Sequence, residues 1–449
     1  MGYICNECGT KYPKWVGSCS ACNNWGTISE DKQPAGDLAM PWSGKNSQLA
    51  DLKNVDLSNE KQYWQTGTAE FDSVCGGGIV PASIGLLGGE PGVGKSTLIL
   101  QLIGRLKLIG KKCLYVSGEE SVNQIKARAN RLTVKQDGIL VLIESLLDRV
   151  MDVIEKEKPD FVVFDSIQTL YTKKINSSAG SLLQIRECTF FLTQYAKLHN
   201  CAFLLIAHVT KEGSIAGPKT IEHMVDYVLY LEGAPGQDYR YLRALKNRFG
   251  HLNEVGFFKM TARGLAEVKH PNKIFMDFWR GGCSGSVIFP ASEGSRIIFL
   301  EIQALVGRHS TTHPIRTTLG IERNRLLILL ASLEKYLNLN LGTKDVYLNI
   351  AAGVKINDPS VDMAILGAIY SSLKNITFKK PLAMLGEASL TGEFTSPREL
   401  TQKLSALEKS GVGSCLFATH RKIKIENNNY CPVANLSDMA NAMNRLAEL

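Results

Sequence analysis

Gly88-Gly89-Glu90-Pro91-Gly92-Val93-Gly94-Lys95-Ser96-Thr97 contains a complete G-x-x-x-x-G-K-[ST] phosphate loop, and the segments on either side of it settle the fold class. The apolar run Ile84-Gly85-Leu86-Leu87 leads in as a strand, while Leu98, Leu102 and Leu106, with Ile99 and Ile103, lead out at helical spacing. In that setting the glycines let backbone N–H groups close around phosphate oxygens at a helix N-terminus. Lys95 then reaches the β- and γ-phosphates, and the Ser96 hydroxyl is placed to ligate Mg2+. The expected nucleoside triphosphate contacts are Gly89, Glu90, Pro91, Gly92, Val93, Gly94, Lys95, Ser96 and Thr97. A chance glycine-rich turn is the competing reading.

Outward from the loop, residues 66 to 268 alternate strand-like apolar runs with helical patterns, the signature of a parallel, doubly wound α/β sheet. Strands are expected at Ile84–Leu87, Cys113–Ser117, Ile139–Ile143, Phe161–Phe164 and Phe203–Ala207. Ser121 reads as the cap of a helix over Val122–Arg131, and a helix from Leu146 ends at Glu157 before Pro159. Beyond Tyr227 shorter strands, Val228–Glu232, Tyr241–Lys246 and Val255–Met260, suggest an antiparallel extension on the sheet edge.

Phe161-Val162-Val163-Phe164-Asp165 is an apolar strand ending in a carboxylate, so Asp165 is expected to share the magnesium with Ser96. A helix-capping aspartate is the plainer alternative. ATP hydrolysis also needs a base to orient water, and Ser117-Gly118-Glu119-Glu120-Ser121 sets two carboxylates at a strand's C-terminal end, where such sheets carry their chemistry. Glu119 is the first choice and Glu120 the second. His208, at another strand end, is either a γ-phosphate sensor or a structural histidine. In Lys246-Asn247-Arg248-Phe249-Gly250 an extended backbone projects Lys246 and Arg248 from one face, which suggests a phosphate target or a solvated pair. If that edge meets a neighbouring subunit, the two cations can act in trans on its nucleotide.

At the N-terminus, Cys5-x-x-Cys8 and Cys19-x-x-Cys22 form two knuckles ten residues apart, the arrangement of a tetrahedral Zn2+ site with four thiolates. A redox pair is the alternative. So short a segment buries little apolar surface, and metal binding would supply its folding energy. Zinc on four thiolates also lowers the formal charge of +8 to roughly +6. That excess permits binding to a polyanion without requiring it. The other cysteines read as isolated buried thiols. No apolar run approaches the roughly 18 residues that cross a bilayer and no signal-peptide pattern opens the sequence, so a cytoplasmic location with no membrane association is expected.

The expected organisation is a zinc module over 1–28, a polar linker over 29–62, an ATPase domain over 63–270 and a second domain over 271–449. In the last, Ile297–Val306 and Val346–Ile350 read as strands, Asp362–Ser372 and Glu399–Ser410 as helices, and Leu385–Phe394 as a hairpin.

Taken together the motifs resemble the bacterial RadA (Sms) family along the whole chain. The resemblance rests on the four-cysteine module through Pro13-Lys14-Trp15, the phosphate loop and Ser117–Ser121. It extends through Asp165-Ser166-Ile167-Gln168-Thr169, His208-Val209-Thr210-Lys211-Glu212-Gly213, Lys246–Gly250 and Glu301-Ile302-Gln303-Ala304-Leu305-Val306. It implies a RecA-like ATPase core between the zinc module and an α+β domain resembling the Lon proteolytic domain. It further implies a homo-hexameric ring that hydrolyses ATP, binds single-stranded and branched DNA, and drives branch migration with the RecA recombinase in DNA repair and recombination. Under it Glu119, Lys95, Lys246 and Arg248 are the catalytic set, the last two acting in trans.

Lon-type domains pair a serine with a later lysine that activates it. Pro359-Ser360-Val361-Asp362 keeps the serine, but aligning Pro397-Arg398-Glu399-Leu400-Thr401-Gln402-Lys403-Leu404 puts Thr401 at the lysine position, with Lys355 or Lys403 as substitutes. Peptidase activity is therefore not expected. For DNA, the candidates are Lys211, Lys219 and the Gly213–Pro218 loop, or a basic run of Arg308, Arg316, Arg323 and Arg325; either set is alternatively a solvated face. An ATP-dependent Lon-type protease and a nucleotide-switched adaptor that loads RecA without translocating are the competing functions.

Overall fold

The computed structural model describes residues 2–5, 10–21, 25–30, 63–208, 219–233, 238–252, 254–269, 271–272, 282–308, 314–350, 356, 358–419 and 427–448. The chain divides into two compact units, Met1–Val268 and Lys269–Leu449. Among the described residues no helix is long and apolar enough to cross a membrane.

In the first unit the N-terminal module is a three-stranded antiparallel sheet, with Tyr3–Cys5 between Lys11–Tyr12 and Ile28–Glu30. Its small core is Cys5, Cys19 and Ile28, packed by Tyr3, Tyr12 and Val16. Among the described residues that core is small, as expected of a metal-dependent module.

The rest of the unit is a nine-stranded sheet, ordered Gly264–Glu267, Val255–Thr261, Tyr239–Asn247, Tyr227–Glu232, Ile84–Gly88, Ala202–Ile206, Phe161–Asp165, Cys113–Ser117 and Ile139–Ile143. The last six strands are parallel. Helices cover both faces of the parallel part, so its central strands are near-continuous apolar runs. Leu87, Tyr115, Val163 and Leu204 point into one core with Leu98, Leu102 and Leu106 of the helix Lys95–Leu108. Leu86, Leu114, Val116, Phe164 and Leu205 point into the other, against the helices Leu147–Glu157 and Leu182–His199. Each such leucine or phenylalanine contributes about 1.5–3 kcal/mol on burial. Ser121 caps the helix Val122–Arg131 in a capping box with Gln124, and Lys158 in the left-handed region ends the helix Leu147–Glu157 before Pro159.

One strand departs from expectation. Tyr227–Glu232 is parallel to the phosphate-loop strand, not antiparallel to it. Residues 207–226 separate it from Ala202–Ile206, long enough for a crossover that returns the chain in the same direction. The antiparallel extension begins one strand later, through Tyr239–Asn247, Val255–Thr261 and Gly264–Glu267.

The second unit holds a seven-stranded mixed sheet, ordered Arg316–Leu319, Lys344–Ile350, Arg296–Arg308, Ser286–Glu293, Leu382–Leu385, Ser414–Phe417 and Tyr430–Pro432. The helix Asp362–Lys374 is buried over its first ten residues, through Ser371. It follows directly on a 3-10 turn, Pro359–Val361, that carries Ser360. The small hairpin joins Glu387–Ala388 to Phe394–Thr395.

Candidate active site

The strand Ile84–Gly88 delivers the loop, and the helix Lys95–Leu108 starts immediately after it. Gly94 caps that helix at φ 114°, a left-handed conformation that a side chain resists, and a Cβ there would lie 2.8 Å from the Met260 methyl. Val93 anchors the loop by burial in the core, while Glu90, Pro91 and Gly92 are exposed. Arg240 from the strand Tyr239–Asn247, two strands along from Ile84–Gly88, donates its Nε to the Val93 carbonyl at 3.0 Å.

Lys95 is 4% exposed and donates its ammonium to the Gly89 and Glu90 carbonyls at 2.7 and 3.0 Å. Burial draws that ammonium below its ordinary range, and the carboxylates of Asp165 and Glu119 oppose the shift. The Ser96 hydroxyl donates to Asp165 Oδ2 at 2.8 Å, so the hydroxyl and carboxylate expected to share a metal already meet. The Tyr115 hydroxyl donates to the same oxygen. Burial, then the adjacent Asp165 charge and hydrogen bond, push the phenol far up, so Tyr115 remains a proton donor that fixes the carboxylate.

The two adjacent glutamates separate. Glu119 Oε1 accepts from the Ser166 hydroxyl at 2.6 Å and lies 3.6 Å from His208 Nε2. Glu120 turns away and is ion-paired with Arg128. Gln168 donates to the His208 carbonyl at 3.4 Å, tying the segment after Asp165 to the end of the strand Ala202–Ile206.

Lys246 and Arg248 are not brought to this cluster. Asn247 pairs with Tyr227, which pairs with Gly85, so the Lys246–Gly250 segment sits at the opposite end of the phosphate-loop strand. That strand spans roughly 13 Å. Lys246 donates to the carbonyls of Glu222, His223 and Val225 at 2.8, 3.1 and 2.7 Å. Desolvation, then the Arg248 charge, lower the Lys246 ammonium, with Asp226 and Glu222 opposing. Arg248, about half exposed, reaches Asp226 Oδ1 at 3.1 Å, and Asp226 Oδ2 in turn accepts from the Ile84 N–H.

In the N-terminal module Cys5 and Cys19 are fully buried and the Tyr12 hydroxyl donates to the Cys19 sulfur at 3.2 Å; Cys8 and Cys22 lie outside the described residues. The soft thiols present fit zinc. The loop Gly213–Pro218, Lys211, Lys355 and the side chains of Lys219 and Arg308 also lie outside them.

In the second unit the structure corrects two expectations. Two of the arginines are not free for a basic face: Arg325 is committed to the fully buried Asp362 through two hydrogen bonds, Nε–Oδ1 at 2.8 Å, and Arg316 donates to the carbonyls of Ile315, Leu341 and Lys344. Buried carboxylate and strand-end carbonyls outcompete solvent for these guanidiniums. Nor does Ser360 lack a lysine. Thr401 faces solvent, while Lys403, two residues on, is buried with its Nζ 3.3 Å from Ser360 Oγ and 2.6 Å from Asp358 Oδ2.

Sequence reading gave no role to Tyr115, Ser166 or Arg240: Tyr115 and Arg240 stand in no motif, and the Asp165–Thr169 motif that contains Ser166 does not tell which carboxylate its hydroxyl meets. For Lys403 a signal existed: Leu400, Lys403, Leu404 and Leu407 are the buried stripe of the helix Leu400–Lys409, and a lysine at such a position needs a buried partner.

Three family models match in the order the motifs predict: a rubredoxin metal-binding domain over residues 3–30, an AAA domain over 62–214 and the Lon protease (S16) C-terminal proteolytic domain over 332–434. Relatives match over about nine-tenths of the chain. DNA repair protein RadA of Listeria monocytogenes is 42% identical over 411 residues, 91% of this chain and 90% of that protein. The Campylobacter jejuni protein of the same name is 44% identical over 407 residues, 90% of each, and that of Escherichia coli 40% identical over 420 residues, 91% and 90%. With a zinc ribbon, an AAA-type ATPase domain and a Lon-type domain in one chain, and with these relatives matched over nine-tenths of it, the chain belongs to the RadA family of DNA repair proteins.

Proposed function

We propose that this protein is a DNA-dependent ATPase that works as a ring of identical subunits, a hexamer, on single-stranded and branched DNA in the cytoplasm, driving branch migration of recombination intermediates together with RecA. The observation that carries the reading is the joining of Lys95, Ser96, Asp165 and Glu119 at one end of the sheet, with Lys246 and Arg248 held at the other.

Residues Gly89–Thr97 bind the triphosphate, the loop amides and Lys95 meeting its charge. Ser96 and Asp165 offer the hard oxygen donors that Mg2+ prefers, and the ion would offset phosphate charge when bound. Among the described residues no lysine or arginine pairs with Glu119, and Ser166 orients it, so it is the residue that aligns the attacking water, a role Glu120 cannot fill while paired with Arg128. His208 touches Glu119 and directly precedes the segment carrying Lys211 and Gly213–Pro218, which makes it the link between γ-phosphate and DNA-contacting residues. Lys246 and Arg248 lie too far from their own phosphate loop to stabilise its transition state. They serve the nucleotide of an adjacent subunit instead.

The zinc module over 1–28, with Cys5, Cys8, Cys19 and Cys22 as ligands, and the domain over 271–449 flank the ATPase domain over 63–270 as partner-binding platforms. The test is displacement of a strand from forked DNA by the purified protein. ATP-dependent displacement that disappears in Lys95→Ala supports the motor, whereas DNA binding switched by ATP with no displacement supports an adaptor instead.

A Lon-type protease has one observation on its side, the approach of Lys403 to Ser360. Against it stands the hydrogen bond from Ser360 to Asp358, which uses the proton that a nucleophile would yield to its base.

A further inference from the structure

Asp358, Ser360 and Lys403 form a closed polar cluster within the second unit. Asp358 caps the 3-10 turn Pro359–Val361, accepting from the Ser360 N–H at 2.9 Å and from the Ser360 hydroxyl, through Oδ1, at 2.7 Å. Its Oδ2 accepts from Lys403 Nζ at 2.6 Å. Lys403 also lies 3.3 Å from Ser360 Oγ and 5.2 Å from the centre of the Phe289 ring. A carboxylate oxygen, a hydroxyl oxygen and an aromatic face are the three partners a fully buried ammonium needs. The turn itself is pinned, because the Ser360 carbonyl accepts from Gly386 N at 2.8 Å and the Met363 N–H donates to the Gly386 carbonyl at 3.0 Å.

Asp358 is the member of the trio that reaches outward. Its side chain is 25% exposed against 0% for Lys403, and it lines a cavity of about 340 Å3 together with Glu322, Arg325, Pro359, Val361 and Glu387. Ser360 and Lys403 are not part of that lining.

We propose that Asp358 is a lock on a latent serine nucleophile: it holds Lys403 as an ammonium and takes the Ser360 hydroxyl proton into its own hydrogen bond, so a serine and the lysine that could serve as its base meet but stay silent. Burial alone would raise the Asp358 carboxyl, yet the hydrogen bonds from Lys403 and Ser360 and the ammonium charge hold it below the ordinary carboxylate range, so it is an anion wherever the protein is folded near neutrality. Without that anion, a buried lysine with no counter-charge favours the neutral amine. The neutral amine is a base within hydrogen-bonding reach of Ser360. With a fluorophosphonate as probe, Ser360 Oγ forms a bond to phosphorus as its proton passes to Lys403, the P–F bond breaks and fluoride leaves with the electron pair. The product is a phosphonylated serine beside an ammonium. Activated carboxylic esters are the corresponding substrate class, the serine becoming acylated and the alcohol leaving with the proton from Lys403.

The experiment treats full-length protein with a fluorophosphonate and locates the adduct by peptide mass mapping. The wild type should stay unlabelled at Ser360. Asp358→Asn should label there at least about tenfold faster, and Asp358→Asn/Ser360→Ala and Asp358→Asn/Lys403→Met should not label. Asp358→Ala is run in parallel in case the asparagine disturbs the turn, with unchanged ATP turnover and an intact thermal transition as the criteria of folding. Labelling of Ser360 in the wild type overturns the lock without recourse to any variant. A folded Asp358 variant that stays unlabelled overturns the latent nucleophile.

Discussion

Glu119 and Glu120 are chemically identical neighbours with different partners, Ser166 and His208 for the first and Arg128 for the second. Glu119→Gln should lower ATP turnover by about 10²–10⁴-fold with nucleotide binding retained, because a water-orienting base contributes in the transition state. Glu120→Gln, which only loosens Arg128, should change turnover far less; single-turnover kinetics on both variants decides between them, and equal losses would argue against Glu119 as the base. In the second unit, Arg325→Ala strands the fully buried Asp362 and should destabilise that unit by about 3–5 kcal/mol in denaturant unfolding. The Asp358 carboxyl has the opposite signature. Because it is held below its ordinary range in the folded protein, its contribution is complete above the unfolded-state value and is lost as pH falls through the folded one. The stability difference between wild type and Asp358→Asn should therefore shrink as pH is lowered from about 6 to about 3, and a constant difference would contradict the ion pair.

At the scale of elements, period and flanking residues made most of the ATPase sheet legible. Phe161–Asp165 is apolar along its whole length because helices cover both faces, and Ser121 announced its helix through a cap that the structure contains. What escaped was pairing at a distance. Nothing local told that Tyr227–Glu232 runs parallel to the phosphate-loop strand, or that Tyr115 would meet Asp165 across two neighbouring strands. Charge runs misled for a related reason: Arg316 and Arg325 look like a basic face in one dimension, but Leu341 and Asp362, which hold them, lie 25 and 37 residues away. The Lys246–Gly250 element has a steric logic too. A Cβ on Gly250 would stand 2.6 Å from the Cα of Gly76, so Gly250→Ala should cost about 1–3 kcal/mol and be seen as a lowered unfolding midpoint of the ATPase domain. In the N-terminal element, Cys19→Ser should release zinc, measured by metal analysis, while the ATPase transition stays in place; retained stoichiometric zinc would contradict the four-thiolate site.

For the whole molecule, the central claim is that one nucleotide is gripped by Lys95 of one subunit and completed by Lys246 and Arg248 of the next. What supports it is the length of a strand: the two cations sit at the end of the sheet where their own phosphate loop is not. The most direct measurement mixes two inactive proteins, Lys95→Ala and Arg248→Ala, and records DNA-stimulated ATP turnover. In a randomly assembled ring of equal parts, about a quarter of the subunit boundaries pair an intact Lys95 with an intact Arg248, so turnover should recover to about a quarter of wild type. If the mixture, shown to exchange subunits, stays as inactive as either variant alone, the shared site does not exist.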